Sequence, residues 1–86
     1  MDVIFSTDEM TAAECEFFRM EISAHVLDSA IGFYRGQSEH DRKAALTFSV
    51  VEFELARSAV SNFIDHFSTA PLCRISRSYV DLDDDL

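Results

Sequence analysis

Turn-forming residues are scarce: the 86-residue chain has two glycines and one proline. That argues against a sandwich or barrel, which need many tight turns, and against a glycine-lined phosphate site. The two cysteines, Cys15 and Cys73, stand far apart and form neither a CxxC pair nor part of a ligand cluster. They read as reduced, packing thiols of a cytosolic protein. No apolar run approaches the roughly 18 residues of a membrane span, and Met1-Asp2-Val3 lacks the basic start of a signal peptide. Cations are also few, with 7 Lys and Arg against 16 Asp and Glu, for a net charge of -9. A surface of that sign repels phosphate, so direct nucleic-acid binding is disfavoured.

What the chain does have is 48% apolar residues, too many for a solvated, disordered polymer. One domain over residues 1–80 is expected, small enough that a second copy or a partner would normally supplement its core. Helices are favoured. Ser6 with Glu9, and Thr11 with Glu14, have capping-box spacing, and Gly36 is the residue type that stops a helix, so the first helix is expected over about 11–35. Ser38 then serves as N-cap, with Glu39 and Asp41 at the positive end of the next dipole, for a second helix over about 39–68 ended ahead of Pro71. Leu72, Ile75, Tyr79 and Leu82 favour a short third helix over about 72–80 above a strand. Residues 81–86, Asp-Leu-Asp-Asp-Asp-Leu, read as an acidic flexible tail. The expected fold is all-α: an antiparallel helical hairpin pairing into a dimeric four-helix bundle.

The first helix carries two opposed apolar faces. Ala13, Phe17, Met20, Ala24, Leu27, Ile31 and Tyr34 form one heptad stripe; Cys15, Phe18, Ile22, Val26 and Phe33 fall nearly opposite. Between them run polar seams, one holding Glu14, Glu21, His25, Asp28 and Arg35, the other Glu16, Arg19 and Ser23. The second helix has its own stripe in Phe53, Ala56, Val60, Phe63 and Phe67. One partner helix cannot cover both faces of the first, which makes Phe18, Ile22, Val26 and Phe33 the expected homodimer interface. The competing arrangement folds Val3-Ile4-Phe5 and the C-terminal segment back over that face.

Chemistry is sparse. Glu21, His25 and Asp28 share a seam, but no Glu-x-x-His occurs, and a solvated seam explains them better than a metal. The serines form no nucleophile constellation and none sits in a glycine-bounded elbow. No catalytic residue, metal or cofactor is expected. Acidity is the informative signal. A line of carboxylates, Glu14, Glu21 and Asp28, could imitate the spaced phosphates of a nucleic acid and occupy a basic groove on a nucleic-acid-binding protein. The tail, Asp81, Leu82, Asp83, Asp84, Asp85 and Leu86, is the second candidate binding element. The chain therefore reads as a small acidic inhibitor or regulator, by analogy a phage or mobile-element antagonist of a nucleic-acid-guided defence complex, such as an anti-CRISPR protein. The alternative is a chaperone-like hairpin that receives a hydrophobic partner helix.

Overall fold

A computed structural model describes residues 1–8, 10–67 and 71–77. Its elements are β1 (Asp2–Ser6), α1 (Ala12–Asp28), β2 (Gly32–His40), β3 (Lys43–Val50), α2 (Phe53–His66) and β4 (Cys73–Ser76). The strands make one antiparallel sheet in the order β2-β3-β1-β4. This is the βαββαβ topology of the ferredoxin-like motif. Met1, Val3 and Phe5 join Ala44, Leu46 and Phe48 in one core with Phe18, Ile22 and Val26 of α1 and Ala56 and Val60 of α2. The helices thus lie on one face of the sheet, and among the described residues the other face is bare.

The expected all-α hairpin and four-helix bundle are not formed, because residues 32–50 are strands. Along β3 the buried residues Ala44, Leu46 and Phe48 alternate with less buried Lys43, Ala45, Thr47 and Ser49, a period of two that serves a half-covered sheet. β2 pairs with β3 across a two-residue turn, Asp41-Arg42, in which both residues have positive φ, 54° and 64°. Two successive left-handed residues give the turn that matches strand twist. The Arg42 carbonyl accepts hydrogen bonds from the Thr7 N–H at 2.9 Å and the Thr7 hydroxyl at 3.2 Å. Gly36 lies within β2, beside a register shift after Tyr34, and does not stop a helix; Ser38 also lies in β2 and caps nothing. α2 starts instead after Glu52, whose carboxylate accepts from the backbone N–H of Leu55 at 2.7 Å. The expected third helix is replaced by β4, paired with β1 through Val3 and Ile75. Glu9 and residues 81–86 lie outside the described residues.

α1 begins where its capping box places it. The Thr11 hydroxyl accepts from the Glu14 N–H at 3.1 Å, and the Glu14 carboxylate accepts from the Thr11 N–H at 2.8 Å. It ends at Asp28, well before Gly36, because Ala30 takes a left-handed conformation with φ 58°. The Ala30 and Ile31 N–H groups then bond the Leu27 and Val26 carbonyls at 3.0 and 3.3 Å, a complete Schellman termination with no glycine. Phe18, Ile22 and Val26, expected between chains, are buried within one chain, with Phe18 edge-to-face on Phe5 at 5.2 Å. They share one core with Val3 and Phe5 of β1, Leu46 and Phe48 of β3 and Val60 of α2, so this face is covered by the chain's own sheet and second helix. Phe33 pairs with Ser49 and sits on the bare face of the sheet, remote from the other three.

Candidate protein interface

At 100° per residue, the inner face of α1 centres on Phe18, Ile22 and Val26, and the direction straight out into solvent is occupied by Ala13, Phe17, Met20, Ala24 and Leu27. All five are exposed, Phe17 by 53%, Met20 by 55% and Leu27 by 63%. α2 is built differently. It buries Ala56 and Val60 and turns Glu54, Ser58, Ser61, Asn62 and Asp65 outward. A helix needs one apolar face to join a two-layer core. α1 has that face and a second one that is left exposed among the described residues.

The uncovered stripe has an anionic border. Glu14, Glu21 and Asp28 are exposed along the flank facing α2, repeating at roughly 10.5 Å per seven residues of helix. The structure brings these three expected site residues onto one line. Glu14 is committed in part to the capping box, which leaves Glu21 and Asp28 as the carboxylates without a structural task in the cap. On the other flank Glu16 pairs with Arg19, and that hydrogen bond holds the Glu16 carboxyl below its usual value. Arg19 in turn lies over the Tyr34 ring, 5.4 Å from its centroid, so its charge is directed toward the sheet side. The stripe end near Phe17 is braced by Phe67 of the α2 C-cap, with ring centroids 5.8 Å apart.

Other reactive side chains have structural partners. His25 does not face Glu21 and Asp28 around an ion; its ring stacks on Phe63 at 4.7 Å. Among the described residues no group of three His, Cys, Asp or Glu could hold a metal ion. His66 Nδ1 lies 2.8 Å from the Asn62 carbonyl, and with His25 it borders an open groove between the helices, about 390 Å³, lined also by Ser29, Ala59 and Phe63. The Cys15 thiol contacts Met10 Sδ at 4.0 Å, and Cys73 donates to the Pro71 carbonyl at 3.3 Å, so neither thiol addresses a base. Burial pushes the Cys73 thiol up to about 11 and also raises Cys15, where Glu39 and Glu14 add to the effect. Both thiols are mainly protonated at neutral pH, unlike activated nucleophiles.

Sequence reasoning found both stripes of α1 and exchanged their roles. It gave the heptad stripe to the chain's own second helix and the Phe18 stripe to a partner. The acidic seam beside the heptad stripe was the available clue, since carboxylates on that flank favour a solvent-facing position. No described helix is long and apolar enough to cross a membrane. No family model, curated protein or solved structure matches this chain.

Proposed function

We propose that this chain is a non-catalytic protein-binding regulator whose α1 outer face occupies a basic surface on a partner protein. The observation that carries this reading is the exposure of Phe17, Met20, Ala24 and Leu27 beside Glu21 and Asp28, on a helix whose other face already supplies the core. A phosphate mimic needs only carboxylates. The apolar stripe asks for matching apolar groups, so the partner element is a basic amphipathic helix, with apolar residues at helical spacing and Lys or Arg on the flank that meets the seam. A second copy fits poorly there, because symmetric packing would set Glu21 and Asp28 near their equivalents without a compensating cation. A nucleic-acid-binding protein is a natural source of such a helix, and occupying it would inhibit that protein. The free cysteines suit a reducing compartment, the cytoplasm.

A synthetic leucine-lysine amphipathic helix serves as the probe. Calorimetric titration of the full chain should give saturable binding that weakens steeply between about 0.05 and 0.5 M salt. Met20→Ala with Leu27→Ala should weaken it tenfold or more, and Glu21→Gln with Asp28→Asn should weaken it mainly at low salt. Affinity indifferent to both pairs would overturn the reading.

A further inference from the structure

β2 lies at an edge of the sheet, and among the described residues it pairs on one side only, with β3. Which of its backbone groups point outward follows from the bonds around it. Met1 and Phe48 exchange hydrogen bonds at 2.8 and 2.9 Å, and the Thr7 N–H reaches the Arg42 carbonyl at 2.9 Å. Phe48, Leu46 and Ala44 therefore turn their backbone groups to β1, and the alternate residues Thr47, Ala45 and Lys43 turn theirs to Gly36, Ser38 and His40 of β2. The β2 groups left pointing out of the edge belong to Tyr34, Gln37 and Glu39.

The regular part of that edge is bounded. The register shift after Tyr34 interrupts it on one side and the Asp41-Arg42 turn ends it on the other, which leaves residues 36–40 with Ser38 in the middle. This stretch holds no proline or lysine, the residues that commonly guard an exposed edge. Laid antiparallel on a second copy about a two-fold axis at Ser38, it meets a complementary sequence. Gln37 comes opposite Glu39 of the second copy, and Glu39 opposite Gln37. These are the residues with outward backbone groups, so each such pair exchanges both of its N–H···O bonds. Ser38 faces Ser38, and His40 faces Gly36, where a Cβ would meet nothing within 4 Å. The Gln37 amide nitrogen donates to its own Glu39 carboxylate at 3.0 Å and carries a second hydrogen for the Glu39 opposite. The registers on either side fit worse. An axis at Glu39 sets two carboxylates directly opposite, and an axis at Gln37 brings Glu39 against Arg35 at the irregularity of the strand.

We infer that two copies of this chain join through β2, edge to edge and antiparallel, with Ser38 on the two-fold axis. The two four-stranded sheets become one, and because the axis is perpendicular to the sheet both helical layers stay on the same side. The contact is made by the strand and leaves the outer stripe of α1 uncovered, so the dimer offers two such stripes. The pairing holds whether or not that stripe binds a basic helix.

The test uses the full chain. For so small an interface, sedimentation equilibrium should show the mass rising from one chain toward two across roughly 10 µM to 1 mM. Hydrogen exchange locates the contact. The Gln37 and Glu39 amides should exchange readily at the low end of that range and slow by about threefold or more at the high end, while the Ser38 amide, held by β3, stays protected throughout. Gln37→Glu sets like charges opposite and should raise the dissociation constant by about tenfold or more with the monomer fold retained. Glu39→Pro removes an outward N–H and should do the same. A mass that stays at one chain up to about 1 mM would overturn the inference, as would a dimer that either variant leaves unchanged. Slowed exchange at Cys73–Ser76 or on α1 in place of Gln37 and Glu39 would put the second copy elsewhere, also against it. Protection of these two amides that is independent of concentration would mean that the chain covers its own edge, and would equally contradict it.

Discussion

The Ile31 N–H bonds the Val26 carbonyl at 3.3 Å, and this contact ends α1 and turns the chain back into the sheet. Both side chains are buried, so the backbone closure is backed by an apolar contact region characteristic of this termination. Ala30 between them holds φ 58°, a left-handed conformation that an L-residue adopts at a cost of about 1–2 kcal/mol.

Ala30→Gly should therefore stabilise the chain. Removing Cβ relieves the left-handed strain, while the extra freedom of glycine in the unfolded state takes back part of it, for a net gain of about 0.5–1 kcal/mol. Urea denaturation should show a higher midpoint with an unchanged slope. A lower midpoint would contradict the termination described.

The Asp41-Arg42 turn should respond in the same way. Asn and Gly are the residues that its positive φ values favour, so Asp41→Asn with Arg42→Gly should gain about 1 kcal/mol and raise Tm by several degrees. The Arg42 carbonyl remains available to Thr7 in that variant.

The two faces of α1 should separate cleanly under truncation. Ile22→Ala opens a cavity under the helix and should lose about 2–5 kcal/mol. Met20→Ala, two residues away on the solvent side, should stay within about 0.5 kcal/mol of the parent. Comparable losses at the two positions in thermal melts would refute the assignment of inner and outer faces.

Cys73 makes the fold sensitive to alkali. Its thiol is raised from an ordinary 9.0 to about 11, so the folded state holds the proton after the unfolded chain has released it. The stability this contributes is fully present below pH 9.0 and is lost as pH rises through about 11. Cys73→Ala should flatten the decline of stability across that window, as read from urea midpoints at stepped pH.

Parts of this architecture are legible in the residues and parts are not. The start of α1 is written in Thr11 and Glu14, and both capping bonds form. Its end is hidden, because Ala30 takes a role that glycine advertises, while the real Gly36 sits inside β2. The β2–β3 turn is hidden for a related reason: Asp-Arg carries no hairpin signature, so residues 39–50 merge with the helical spacing of Phe53, Ala56 and Val60 into one apparent helix. Alternation from Leu46 to Val50, Leu-Thr-Phe-Ser-Val, was the readable counter-signal. The line of Glu14, Glu21 and Asp28 is visible as a helical seam, whereas the exposure of Phe17, Met20 and Leu27 depends on which face the sheet claims. Local sequence does not decide between two apolar faces; the strands that arrive from elsewhere in the chain do.

The most direct test of the account is the footprint of the leucine-lysine helix on the labelled full chain. The account predicts saturable shifts at Phe17, Met20, Ala24 and Leu27, with Glu21 and Asp28 at the margin, and unmoved resonances for Ile4, Ala45 and Thr47 on the bare sheet face. A saturable footprint on that sheet face, or none on α1, would contradict it.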